Sequence, residues 1–468
     1  MNMARSGCQR TAASEGVLST RNCCRVEIAL SHSKQRTGEP ATRNSFKGAR
    51  TPIFAFRPSN FGFRGSEKGV NRRKVFSPAS HSKHKAGARK GRQFFKMCFL
   101  RPSTVLVPSA PSAYHRKAMK EFKPHPALRN GHLMTIATAF LRRRHPRLPA
   151  ATPRFFEVDS ALVSGVRWTP PESGQRTTAG ISETQVRGDC HWQERPREHA
   201  TLVLLHGLEG SSESAYMLGT AEKAWAAGFN VVRLNQRNCG GTEKLTPTLY
   251  HSGRSGDIRA VVTELIERER LPEIFAAGFS MGGNLVLKLA GEWSESAPEQ
   301  VRAFSAVAPC LDLAACADAL GAPRNFIYNR HFVVRLKERM RYKASLFPDV
   351  YASIDGMRDV RTVRDFDEVI TARFCGFEGA DDYYARSSAM HVLGSIRRPA
   401  LILTAQDDPF VPFSTFDLPG LRGNPNITFI GTRHGGHCGY ISREAGEERF
   451  WAEARIVEFL QGLRTSAT

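Results

Sequence analysis

The stretch FAAGFSMGGN, Phe275–Asn284, decides how the chain folds. Three residues suited to a buried strand run into Gly-Phe-Ser-Met-Gly, and LVLKLAGEW follows with helical spacing. A serine at a strand-to-helix junction, with glycines two residues before and after it, reads as a nucleophile on a sharp turn. Side chains at 278 and 282 would hold the helix off the strand, which is why both positions are glycine. The turn also leaves the first helical N–H groups free beside the serine oxygen. The same string could be a plain glycine connection. The difference lies in context: a buried strand before it, a helix after it, and an acid and a histidine further along.

Working outward, that context is present. Short apolar runs recur at ATLVLLHG (200–207), FNVVRLN (229–235), EIFAAGFS (273–280), VRAFSAVAP (301–309), PALILTAQ (399–406) and NITFIGT (426–432). Each has the continuous apolar character of a strand buried on both faces. Helical patterns separate them, at AYMLGTAEKAWAAG, SGDIRAVVTELIERER and MGGNLVLKLAGEW, and ERFWAEARIVEFLQGL follows the last. Strands alternating with helices predict an α/β fold with a mostly parallel central sheet flanked by helices. Between 310 and 395 no strong strand appears, and NRHFVVRLKERMRYKASLF predicts a helix, so this region reads as a helical cap insertion over the site. RFFEVDSALVSGVRWT (154–169) reads as a hairpin, and the polar segment 170–199 as a surface loop. NGHLMTIATAFLRRR (130–144) reads as a helix whose Arg142–Arg144 end is solvated.

In such a sheet the functional loops lie at strand C-terminal ends. After PALILTA the chain offers Asp407 and Asp408, only one of which can face a histidine. After the last strand, RHGGHCGY offers His434 and His437. His437 is preferred, because two glycines before it permit a tight approach. The order Ser280, acid, His437 is that of an α/β-hydrolase fold. Two zinc-binding histidines are the rival reading, but no third ligand is in view. The oxyanion donors would be the backbone N–H groups of Met281, after the serine, and Leu208, in HGLEG (206–210) after the first long strand. His206 then has a structural part, holding that loop. Asp257, in SGDIRAVV, reads as a first-turn helix acid.

Several separated strings resemble the YheT-like, abhydrolase-domain branch of α/β hydrolases: NGHLMTI, LLHGLEGSSESAYM, VVRLNQRNCGGTEKLTPTLYHSG, GFSMGGNLVLKLAGE, AQDDPFVP and HGGHCGY among them. The resemblance covers about residues 122–460. It implies a Ser280–Asp408–His437 triad, with Asp408 chosen over Asp407 by the Asp-x-x-x-Pro pattern. It also implies hydrolysis of carboxylic, lipid-like acyl esters through an acyl-enzyme, with no metal or organic cofactor. Asn238 departs from the glycine expected there, and bears on the shape of its loop rather than on the triad. Two rival functions share the fold: an alcohol O-acyltransferase using acyl-CoA, and a non-catalytic binding protein.

Charge separates a tail from this body. Residues 1–100 hold 21 Lys+Arg and 4 Asp+Glu, net +17, while the other 368 hold 46 and 40, net +6. Residues 1–115 therefore read as a disordered basic tail, and 116–468 as the hydrolase domain. The tail suits an organelle transit peptide, a start misplaced upstream of Met97 or Met119, or contact with nucleic acid or lipid. The expected location is intracellular: plastid or mitochondrion if the tail is a transit peptide, otherwise cytoplasmic. The ten cysteines contain no Cys-x-x-Cys pair and read as reduced thiols. The expected partners are a small acyl ester and, peripherally, membrane or lipid, with no nucleic acid expected at the body.

Overall fold

The structure, a computed structural model, describes residues 119–159, 184–351 and 354–465, with short strands at 105–106, 162–163 and 166–167. The strands are β1 (Val105–Leu106), β2 (Thr152–Glu157), β3 (Leu162–Val163), β4 (Val166–Arg167), β5 (Gln185–His191), β6 (Thr201–Leu205), β7 (Asn230–Leu234), β8 (Ile274–Phe279), β9 (Val301–Val307), β10 (Ala400–Ala405) and β11 (Ile427–Thr432). Nine form one sheet in the order β1-β11-β10-β9-β8-β6-β7-β5-β2. The block from β7 to β11 is parallel, and the outer pairs β5–β7, β2–β5 and β1–β11 are antiparallel.

The apolar runs become strands because side chains alternate between two covered faces. In β6, Val203 and Leu205 enter the core on one face, while Leu202 and Leu204 enter the core on the other. The first face is covered by α3 (Ser255–Glu267) and α4 (Met281–Trp293), with α5 (Leu313–Gly321) and α6 (Phe326–Leu346) of the cap packed beyond them. The second face is covered by α2 (Ala215–Ala226) and the C-terminal helix Trp451–Gln461. An earlier helix, α1 (Gly131–Phe140), lies at the rim that carries the site.

The order of strands also fixes where a site can form. From β6 the chain steps to β7 on one side, then returns to place β8 on the other and continues outward through β9, β10 and β11. The loops after β6 and β8 thus leave adjacent strand ends for opposite faces of the sheet, at a switch point.

Four expectations need correction. The stretch 154–169 is not one hairpin: β2 pairs with β5, and only the two-residue strands β3 and β4 pair with each other. Segment 170–199 is not all loop, because β5 joins the sheet within it. Its polar side chains hid it. Asp189 accepts a 2.5 Å hydrogen bond from Ser212 Oγ, and His191 Nε2 accepts one of 3.1 Å from Arg233. The Asp189 carboxylate and His191 Nε2 are thus paired inside the fold rather than replaced by apolar groups. Third, α1 stops at Phe140, and Arg143 is buried rather than solvated. Its guanidinium holds Glu453 in a two-pronged pair of 2.5 and 2.7 Å and lies 3.4 Å from the Phe450 ring centre. Finally, β1 draws residues 105–106, inside the stretch assigned to the tail, into the sheet. The rest of the tail expectation, and residues 168–183, lie outside the described residues.

Candidate active site

Ser280 joins β8 to α4 with φ 55° and ψ −121°, a conformation an L-residue reaches only under constraint. The constraint comes from the glycines. A Cβ on Gly278 would lie 2.2 Å from the Gly282 carbonyl oxygen, and one on Gly282 2.5 Å from that of His206. The strand, the turn and the loop after β6 are therefore in backbone contact. A Cβ on Gly207 would come within 3.0 Å of the Ser280 Cβ, so the loop carrying Leu208 passes directly beside the serine.

His437 meets Ser280 across this rim. Its Nε2 is 2.9 Å from Ser280 Oγ, and its Nδ1 is 2.8 Å from Asp408 Oδ2. The Asp408 carboxylate is fully buried, and its other oxygen accepts from the Phe410 and Val411 amides at 2.8 and 3.0 Å. Asp407 points elsewhere: it accepts from the Gly436 N–H at 2.9 Å and faces His434 Nδ1 at 3.4 Å. The two aspartates thus divide the work, one facing His437 and the other bracing the glycine loop before it. The remaining support is α1. Thr135 Oγ1 accepts from the His437 N–H at 2.9 Å, and a Cβ on Gly131 would strike the Asp407 carbonyl oxygen at 1.9 Å. NGHLMTI is therefore the buttress of the histidine loop.

Electrostatics sets the protonation states. Burial by itself disfavours an imidazolium at His437. The Asp408 carboxylate outweighs it and holds the imidazole well above the usual histidine range. Burial pushes the Asp407 carboxyl up. Burial also lowers His206 to about 4, so it is neutral at pH 7. Its Nδ1 faces the Gly207 carbonyl at 2.8 Å, and its Nε2 accepts from the Gln236 N–H at 3.1 Å. It has no contact with the Ser280–His437 pair in this network.

The amides of Leu208 and Met281 have no protein acceptor among the described residues. Gly207 N–H is taken by Tyr216 Oη at 3.0 Å, which leaves the next amide as the free donor of that loop. Asp257 lies in the first turn of α3 and pairs with Arg237 at 2.5 and 2.7 Å.

Three contributors escaped the sequence reading. Cys310 Sγ lies 3.6 Å from Ser280 Oγ. The available signal was its place just beyond the end of β9. Glu209 and Arg339 form a buried pair between the loop after β6 and cap helix α6, at 2.8 and 3.0 Å. No local pattern links residues so far apart. Among the described residues no group of three or more His, Cys, Asp or Glu is placed to hold a metal ion. A cavity of about 460 Å³, lined by Trp192, Arg197 and Leu271 among others, lies at the N-terminal ends of β6 and β8, the rim opposite Ser280.

Comparison with known proteins agrees with this fold. The α/β-hydrolase fold family matches residues 200–349. The Escherichia coli protein named "Putative esterase YheT" is 32% identical over 276 residues, 58% of this chain and 80% of its own. Phospholipase ABHD3 of Mus musculus is 30% identical over 56% of this chain and 64% of its own. Monoacylglycerol lipase of Saccharomyces cerevisiae is 29% identical over 56% of this chain and 58% of its own. The chain thus spans most of the bacterial relative and under two thirds of the two eukaryotic ones.

Proposed function

Since the chain belongs to the α/β hydrolases, in the branch that includes YheT, we propose that it hydrolyses lipid-like carboxylic esters through a Ser280–His437–Asp408 triad. It is an enzyme of the carboxylic ester hydrolase type, as the esterase and lipase names of its relatives support. The observation that carries the finer reading is the unbroken chain of contacts from Asp408 Oδ2 through His437 to Ser280 Oγ, at 2.8 and 2.9 Å.

Ser280 Oγ attacks the ester carbonyl carbon while its proton passes to His437 Nε2. Asp408 accepts from Nδ1–H, fixes that tautomer and stabilises the imidazolium as it forms. The negative charge on the former carbonyl oxygen is met by the Leu208 and Met281 amides. Collapse expels the alcohol, which takes the proton from His437 and leaves Ser280 acylated. Water then gives its proton to His437, attacks the acyl carbon and releases the acid. As the acyl bond to Oγ breaks, His437 passes the water proton to Ser280, replacing the one that left with the alcohol, and the cycle requires no metal or organic cofactor.

The test is Ser280→Ala, assayed on p-nitrophenyl acyl esters and with a fluorophosphonate probe. The variant is expected to lose about 10⁶-fold in kcat, by the scale seen in subtilisin, and to resist labelling. Full activity in the variant would end the proposal.

A further inference from the structure

Eight large apolar side chains of the described residues are exposed, and most of them fall on two touching helices. On α1 they are Leu133, Ile136 and Phe140, the last 71% exposed. At about 100° per residue these three fall within about 60° of arc, a single stripe. On α6 they are Phe326, Ile327, Val334 and Tyr342, with Ile327 75% exposed. Phe326, Ile327 and Val334 share an arc of about 100°, with Arg330 between them. The helices meet where the His132 and Tyr328 rings stack, with centroids 5.7 Å apart and His132 Nδ1 3.2 Å from the phenol oxygen. Tyr328 packs edge-on against Phe410 at 4.7 Å, and Phe410 against His437 at 4.6 Å. Two aromatic contacts therefore join the exposed stripe to the imidazole beside Ser280.

Along α1 and the first half of α6, as far as Lys337, the charged residues are of one sign, and the exposed Glu338 follows. From Arg129 to Arg147, and again from Asn325 to Lys337, the sequence contains no Asp or Glu. Arg142 and Arg144 follow α1, and Arg324, Arg330 and Arg335 flank the apolar side chains of α6, all of them exposed. An apolar stripe ringed by arginines suits the headgroup region of an anionic bilayer, where apolar side chains insert and cations meet phosphate. The chain's own tail, net +17 over residues 1–100, is electrostatically mismatched to the same face, and so is a second copy presenting that face.

We propose that α1 and the first half of α6 dock the protein on an anionic lipid surface, through the face that aromatic contacts join to His437. The inference rests on the ester-hydrolase reading for its purpose and on the exposed face for its existence. Among the described residues no helix is long and apolar enough to cross a membrane, so contact through this face would be peripheral.

Because the tail can itself bind anionic vesicles, the test must be local to the face. Phe140→Trp and Ile327→Trp are made in the full chain and mixed with phosphatidylcholine vesicles, with and without phosphatidylglycerol. The expected result is a blue shift of the added tryptophan emission, and quenching by brominated lipid, at both positions with the anionic vesicles. In parallel, Phe140→Ser combined with Phe326→Ser and Ile327→Ser is expected to lose about tenfold or more in hydrolysis of a vesicle-borne acyl ester. Hydrolysis of a dissolved short-chain ester, which needs no docking, should hold. Vesicle binding with neither tryptophan shifted would overturn the proposal, since binding then runs through the tail. A shift without lipid that grows with protein concentration would also overturn it, by giving the face to a second copy. Loss of the triad reading through Ser280→Ala leaves the fluorescence result unaffected, so the two failures are separable.

Discussion

At His437, two opposed effects meet, and their balance makes a measurable prediction. Burial favours the neutral ring, while the Asp408 carboxylate at 2.8 Å favours the imidazolium and prevails. Only the neutral ring can take the Ser280 proton, so kcat/KM should fall as pH drops through the His437 pKa. That acid limb is expected above the ordinary histidine value of about 6.5. Asp408→Asn should move it to lower pH and reduce kcat by about 10⁴-fold, because the tautomer is no longer held. A pH–rate profile of the two proteins checks both; an unmoved limb would assign it to another group. Ser280 and His437 were legible in the sequence, because each follows an apolar run and the runs are ordered, whereas the run end offered Asp407 and Asp408 alike and the family resemblance chose Asp408. Asn238 was legible only as an anomaly. In the structure its φ is 63°, a left-handed conformation that asparagine tolerates, and its side chain bonds the Thr248 carbonyl and Lys343 Nζ. The loop keeps the backbone a glycine would give it and gains two fastenings.

Between elements, the informative contact joins the loop after β6 to the cap. Glu209 follows Leu208 with φ 56°, and its carboxylate is almost wholly buried. It receives Arg339 from α6 at 2.8 and 3.0 Å and the Tyr250 hydroxyl at 2.7 Å. The peptide carrying the Leu208 amide is thereby held from the cap side, while Tyr216 holds it at Gly207 from the sheet side. Arg339→Met strips the partner from a buried charge and should destabilise the fold by about 3 kcal/mol. Glu209→Gln keeps the shape and loosens the hold. It should lower kcat by about 10- to 100-fold with KM nearly unchanged, since the displaced amide matters most in the transition state. A KM rise at constant kcat would instead place Glu209 in substrate binding. The parallel strands and their helices were legible because continuous apolar runs have few alternatives. β5 was not, because its buried Asp189 and His191 look like loop residues until Ser212 and Arg233 are placed beside them. Arg143 was misread for the same reason, its partner Glu453 lying 310 residues away.

Across the whole molecule, stability should depend on pH through a few buried groups of opposite sense. Burial lowers His191 and His206 to about 4, so the fold keeps them neutral while the unfolded chain protonates them below about 6.5. Their contribution is present above that value and is lost as pH falls toward 4. Asp367 works the other way. It lies in the cap, accepts from Thr371 Oγ1 at 2.7 Å and Tyr384 Oη at 2.8 Å, and burial raises it to about 6. The folded chain then holds a proton that the unfolded chain releases near pH 4, so stability falls as pH rises from about 4 to about 6 and stays reduced above. Asp367→Asn removes that loss while keeping a side chain both hydroxyls can bond. It should stabilise the protein by about 2–3 kcal/mol at pH 7.5, a rise of a few degrees in Tm. Below about pH 3 variant and parent should converge, because Asp367 is neutral there in both states. Thermal unfolding of both proteins across this range isolates the aspartate, since the histidine terms are common to the two. Equal stability at every pH would mean that Asp367 is solvated in solution and that the cap opens around it.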